Sequence, residues 1–241
     1  MSFMYGRPRS STWTQIMSYI TFKDKSFLVR PNDAPDFYGE RELMDKWWNI
    51  KNGDIIFDIG AGTGLWTLPA LACGAWVFAF DSYMIACHGL RVNVQLNKWE
   101  DRITISEHGV GNEDKEMSLI DALVAHGAER GFCTQVLGHQ KGKPTTYIRL
   151  DSIAAAFELS HISYVKIDVE SYELDVLLGG RKLLEKFHPK LIIENHSNVD
   201  HVKEYMQANS IWEKIKNLLS ELKYNMEEVD YYQGRGFLYA Y

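Results

Sequence analysis

The chain has 241 residues, of which 46% are hydrophobic and 24% charged, and a chain of that length can bury roughly 70–75% of its unfolded surface, enough for a full core without staples. Its net charge of −6, with no run of lysines and arginines, counts against a protein that grips a nucleic-acid backbone, which normally shows a basic stripe. Cys73, Cys87 and Cys133 are odd in number and lack C-x-x-C spacing, which excludes a disulfide framework or zinc site of the usual pattern.

In chain order, residues 1–35 mix Ser, Thr, Arg, Pro and aromatics. They read as a loosely structured N-terminal extension with one helix around Trp13–Ile20, ahead of a domain over 36–241. No apolar core of signal-peptide length opens the chain, and no stretch reaches the ~18 apolar residues of a membrane helix, so a soluble, cytoplasmic protein away from membranes is expected. The spacing of Leu43, Met44, Trp47 and Trp48 predicts a helix over Glu40–Ile50, stopped by Asn52-Gly53. The Trp47-Trp48 pair reads as helix packing, not as a stacking platform. Ile55–Ile59 is a short apolar run with one acid, Asp58, and predicts a buried strand; a helix over Leu65–Cys73 ends at Gly74. Ala75–Phe80 predicts a second buried strand, followed by Asp81 and a helix over Ile85–Asn97. Asn93 and Asn97, one helical turn apart, are placed to cap that helix or tie it to its neighbour. Ile103–Val110 alternates and reads as strand three.

The segment 111–146 is the least regular, and a short helix near Met117–His126 and a hairpin around 140–143 are expected within it. A helix over Asp151–Leu159, a strand over Tyr164–Val169, a helix over Glu173–Phe187 and a strand over Lys190–Glu194 follow. A helix over Ile211–Leu222 and two final strands, Tyr224–Tyr232 and Gly236–Tyr241, complete the pattern. Strands alternating with helices, then two strands with no helix between, predict a Rossmann-like, doubly wound α/β sheet.

Between the first strand and its helix lie Gly60, Gly62 and Gly64. A buried strand that breaks into a glycine turn and opens a helix is the nucleotide-binding corner of such a sheet, and glycine lets a ligand approach the backbone where a Cβ would block it. A dinucleotide fingerprint needs glycine or alanine five residues after the first, and that position is Leu65. The G-x-G-x-G spacing instead matches the turn that binds S-adenosylmethionine, with Asp58, Gly60, Ala61, Gly62 and Gly64 as its candidate contacts. Glycine turns also occur as plain connections. Asp81, with Ser82 beside it, closes the second strand, where an acid accepts hydrogen bonds from ribose hydroxyls; the plain alternative is a helix cap. Gly111 and Asn112, just past the third strand, are candidates for the adenine.

Several stretches resemble FkbM-type S-adenosylmethionine-dependent methyltransferases: D58-I-G-A-G-T-G-L, A-F-D81, L90-R-V-N93-V-Q-L-N97 and H-G-V110-G-N-E-D114. The second half is more specific, with R149-L-D-S-I153, V165-K-I-D-V-E170-S-Y-E173, V176-L-L-G-G180 and P189-K-L-I-I-E194-N-H196 in the family's order. Together the likeness covers roughly residues 40–200. Ser171 stands where the family usually has glycine, and G-A-G-T-G replaces its common G-A-N-x-G. The resemblance implies the class I fold, a seven-stranded, mostly parallel sheet whose last strand is antiparallel. It also implies methyl transfer from S-adenosylmethionine, usually to a hydroxyl of a sugar or secondary metabolite.

Because a sulfonium methyl is already activated, the protein has mainly to align it and remove a proton. Asp168 and Glu170 lie two apart, hence on one side if the strand continues that far, and Lys166 shares that side. His196 is the candidate general base, its ordinary pKa lying near neutrality; a hydrogen-bonded loop histidine is the plain alternative. No metal ligand is assigned, although Asp168 with Glu194 and Asn195 also resembles the placement of ligands in metal-dependent catechol-type O-methyltransferases. The expected acceptor is a hydroxyl of a small molecule or glycan, with no nucleic acid. The rivals are N-methylation of a protein or nucleic acid, and a methyltransferase-like binding module that has lost catalysis. Against the first, strand four ends in I167-D-V-E170, not in the N-P-P-Y or D-P-P-Y turn that holds a planar amino group.

Overall fold

The computed structural model describes residues 17–34, 40–118, 144–170, 172–195, 208–230 and 236–241. It begins with an antiparallel hairpin, β1 (Ser18–Phe22) against β2 (Lys25–Val29). Then come α1 (Arg41–Trp47), β3 (Ile55–Ile59), α2 (Thr67–Ala72), β4 (Trp76–Phe80), α3 (Met84–Asn97) and β5 (Ile103–Ser106). Three short strands, β6 (Gly109–Val110), β7 (Lys115–Ser118) and β8 (Pro144–Ile148), form a small separate sheet in the order β6-β8-β7. The rest is α4 (Leu150–Ala156), β9 (Tyr164–Ile167), α5 (Glu173–Gly179), α6 (Arg181–Phe187), β10 (Lys190–Asn195), α7 (Ala208–Glu221), β11 (Met226–Asp230) and β12 (Gly236–Ala240).

The main sheet has seven strands in the order β11-β12-β10-β9-β3-β4-β5. The pairs from β10 through β9, β3 and β4 to β5 are parallel, while β12 runs antiparallel to both β10 and β11. β3 is apolar because it lies at the centre of a sheet covered on both faces. Its pleat sends Ile56 into one core cluster, with the hairpin, α1 and α2, and Phe57 and Ile59 into the other, with α4 to α7. Asp58 has the parity of Ile56, and in the register with β9 it stands opposite Lys166. The first cluster is closed by tryptophans: Trp47 stacks on Tyr239 at 5.4 Å, and Trp48 meets Trp66 edge-on at 5.0 Å. This is packing, as the sequence suggested.

Four expectations need correction. Ser18–Ile20 are extended, not the end of a helix, and residues 18–29 are ordered structure: Ile20, Phe22, Phe27 and Val29 are buried in the first cluster. Ile103–Val110 is two strands, since the backbone leaves the main sheet after Ser106 and Gly109 pairs with Tyr147 of the small sheet. Met117 lies in β7, paired with Thr145, and not at a helix start; the rest of that expected helix and the hairpin at 140–143 fall outside the described residues. The helix over Glu173–Phe187 is broken at Gly180 into α5 and α6. A Cβ there would lie 2.8 Å from Leu150 Cδ1, so the break lets α4 pack close.

Candidate functional site

The carboxyl ends of β3, β4 and β9 open onto a cavity of ≈ 220 Å³. One wall is the glycine turn. Gly60 has φ 79°, and a Cβ on it would stand 1.7 Å from the Asp168 carbonyl oxygen, so only glycine lets the ends of β3 and β9 meet. The Gly60 and Ala61 N–H groups donate to the Phe80 carbonyl at 2.8 and 3.1 Å. Gly62 (φ 55°) donates its N–H to Asp81 Oδ2 at 2.8 Å, and nothing lies within 4 Å of where its Cβ would be.

Asp81 Oδ1 accepts the Tyr83 N–H at 2.7 Å, at the entrance to α3. The carboxylate therefore steadies both the turn and the helix start, and it also lines the cavity. A carboxylate has about four acceptor sites, and these two N–H groups use half of them, which leaves room for a pair of neighbouring hydroxyls. Burial pushes the Asp81 carboxyl above the usual carboxylate range, with the Tyr83 and Gly62 N–H groups pulling it back.

Beneath the turn sits a buried charged group. Lys166 Nζ donates to Asp168 Oδ2 at 3.0 Å and to the Gly60 carbonyl at 3.3 Å, and lies 3.9 Å from Asp58 Oδ1. Asp58 Oδ2 accepts the Thr67 hydroxyl at 2.5 Å, while Oδ1 has no hydrogen bond. Burial alone would lower the Lys166 pKa; the Asp168 and Asp58 carboxylates outweigh it and hold the ammonium well above its ordinary value. The same lysine thus fixes the cavity-facing Asp168 and the first peptide of the glycine turn.

The opposite wall is assembled from distant segments. β9 stops at Ile167, so Asp168 and Glu170 do not share a side through the pleat; they reach the cavity because the chain turns, with Glu170 at φ 52°. Tyr172 and Tyr147 stand beside them with ring centroids 5.5 Å apart. His108, whose Nδ1 lies 2.6 Å from Ser106 Oγ, lines the side below β5 together with Gly109 and Val110.

Of the residues singled out in the sequence, Gly60, Asp81, Ser82, Asp168 and Glu170 meet at this cavity. Ala61, Gly62 and Gly64 form the turn behind it, and Asp58 lies fully buried beneath. Gly111 and Asn112 are outside the lining: the Gly111 N–H is taken by the Ile148 carbonyl, and Asn112 is exposed. His196 falls outside the described residues, immediately after Asn195 of β10, where Glu194 and Asn195 are buried. Among the described residues no group of three or more His, Cys, Asp or Glu is placed to hold a metal ion. Tyr83, His108, Tyr147 and Tyr172 are lining residues that sequence reasoning missed. His108 lay inside the stretch read as strand three, and reaches the cavity because that strand ends at Ser106.

A family model described as the methyltransferase FkbM domain matches residues 58–228, more than half of the chain. The chain belongs to that family. The fold is also that of an FkbM methyltransferase structure from Methylobacillus flagellatus, with a TM-score of 0.57 at 17% identity over 80% of this chain and 44% of that one. It is shared as well with fibrillarin from Aeropyrum pernix, solved with S-adenosyl-L-methionine natively bound, at a TM-score of 0.51 and 9% identity over 97% of this chain and 85% of that one. Among curated relatives, a ribosomal protein L11 methyltransferase from Anoxybacillus flavithermus is 33% identical over 78 residues, 32% of this chain and 24% of that protein. A tRNA1(Val) (adenine(37)-N6)-methyltransferase from Shewanella amazonensis is 35% identical over 66 residues, 27% of this chain and 28% of that protein. The matches with this FkbM domain thus span about a quarter of the length of those two relatives. No helix among the described residues is long and apolar enough to cross a membrane.

Proposed function

We propose that this FkbM domain is an S-adenosylmethionine-dependent methyltransferase that transfers the methyl to a hydroxyl of a small molecule or glycan. The observation that carries the reading is Asp81, turned into the cavity and tied by Gly62 to the glycine turn. Its two remaining acceptor sites suit the two hydroxyls of a ribose, and Gly60, Ser82 and the open Cβ position of Gly62 leave the backbone approachable beside it. When bound, S-adenosylmethionine supplies an activated methyl group. Lys166 keeps Asp168 at the cavity wall, where Asp168 and Glu170 orient the acceptor hydroxyl. His196 is assigned the removal of the hydroxyl proton.

The test is calorimetric titration with S-adenosylmethionine and its demethylated product, followed by labelled methyl transfer to a panel of hydroxyl compounds. Binding of both with methylation of a hydroxyl compound is expected; absence of heat with either removes the cofactor reading. His196→Ala is expected to lower kcat about a hundredfold or more with cofactor affinity unchanged. A second reading, N-methylation of tRNA or a ribosomal protein, is favoured by the names of the curated relatives. Transfer confined to tRNA or ribosomal protein substrates in the same assay would establish it over the first.

A further inference from the structure

Phe80, Asp81 and Lys166 hold the first half of the glycine turn from the sheet, and a further tie comes from outside the sheet altogether. Asn93, fully buried on α3, donates through Nδ2 to the Thr63 carbonyl at 3.0 Å and to Asp33 Oδ2 at 2.7 Å. Its Oδ1 accepts the Arg30 N–H at 2.9 Å. The amide orientation follows from these partners, since flipping it would set the oxygen against two acceptors. Asp33, itself buried, is gripped by Arg30 through Nε at 2.7 Å and Nη2 at 2.9 Å. One helical turn further on, Asn97 makes a parallel tie, accepting the Leu28 N–H at 2.8 Å and donating to the Leu28 carbonyl at 2.7 Å. Both asparagines therefore fasten the N-terminal hairpin to α3, but only Asn93 continues to the turn.

We propose that Asn93 and Asp33 are positioning residues for the cofactor turn, so that the segment after the N-terminal hairpin is a working part of the site and not an appendage. A buried amide with both N–H bonds and its oxygen committed has one arrangement, and the Thr63 peptide is held to it. The Gly62 N–H that reaches Asp81 lies in the same short turn, one peptide unit removed from the one that carries the Thr63 carbonyl, so loosening Thr63 is expected to loosen the contact that orients the carboxylate. The inference rests on the cofactor reading above, and the experiment separates the two.

The comparison is Asn93→Ala against Asn97→Ala in the full chain, with Asp33→Ala as a milder third variant because Arg30 is partly solvent-exposed and tolerates its loss. The first readout is the Kd of the demethylated cofactor. Asn93→Ala is expected to raise it about tenfold and Asp33→Ala by about threefold or more, while Asn97→Ala, which cuts the hairpin tie and a bond to the Asn93 carbonyl but no bond to the turn, stays within about twofold of the parent. The second readout is amide hydrogen exchange at residues 62–64 without ligand, which is expected to quicken in Asn93→Ala and Asp33→Ala and not in Asn97→Ala. Equal Kd values and equal exchange across the three variants would overturn the proposal, as would equal loss in Asn97→Ala, which would mark a general loosening of the hairpin. If the parent binds no cofactor, the proposed function fails, and the exchange pattern alone still decides whether Asn93 holds the turn.

Discussion

Two of the carboxylates that line the cavity, Asp81 and Asp168, are held in opposite ways. Asp81 is fixed by two backbone N–H groups, those of Tyr83 and of Gly62 in the glycine turn, and burial raises its pKa. Asp168 is fixed by a buried ammonium, and its carbonyl sits where a Gly60 side chain would be. Backbone donors suit an acid that accepts hydrogen bonds from neutral hydroxyls, because they orient it without neutralising it. A lysine partner suits an acid that must stay charged. On the proposed function, the cofactor side would thus be built from backbone, and the acceptor side from side chains.

The hardest way to break this contrast is to remove the ammonium. Lys166→Met leaves Asp58 and Asp168 without their common cation, and uncompensated buried charge of this kind costs about 3–5 kcal/mol; urea unfolding is expected to show a loss of that size. Gly60→Ala puts a Cβ on the Asp168 carbonyl at a positive φ, and a loss of about 3 kcal/mol is expected by the same measurement, together with lost cofactor binding. The Asp81 side is expected to lose affinity more than fold: Asp81→Ala should weaken the demethylated cofactor about tenfold to a hundredfold by titration calorimetry.

A pH series sharpens the same point. Since burial raises the Asp81 pKa, the unbound protein carries an ionisation penalty that sets in as pH rises from the unfolded carboxyl value through the folded one. In the proposed function ribose hydroxyls donate to the ionised form, so cofactor affinity should fall as pH drops through the raised pKa; Asp81→Asn should bind more weakly and lose that slope. Smallest of all is Tyr147→Phe. Among the described residues its hydroxyl has no hydrogen bond, so stability should move by less than about 0.5 kcal/mol, with any change confined to the KM of the acceptor.

The wall formed by the glycine turn and Asp81 was legible in the sequence and the opposite wall was not, for the same reason. Ile55–Ile59, the glycines and Asp81 follow one another along the chain, so strand, turn and acid could be read as a unit. Tyr147 reaches the cavity only because β8 pairs with β6 in a second sheet, a non-local pairing with no local signature. The hairpin over 18–29 did carry a signal, the alternation of Ile20, Phe22, Phe27 and Val29. Its turn lacks glycine or asparagine and uses Lys23 at φ 52° instead, so the usual punctuation was missing. The break at Gly180 was spelled out by two adjacent glycines, but helical periodicity on both sides hid it.

The last paired strand makes the sheet vulnerable at one seam. β12 is inserted between β10 and β11, and β11 touches the sheet only through it. If residues 236–240 detach, two strands are lost together, and the bared flank of β10, carrying Leu191, Ile192 and Ile193, becomes an unprotected apolar template for another copy. Heat or a weakening change at Phe237 or Leu238 should therefore show first as clumping, well before the glycine corner at the sheet's centre gives way.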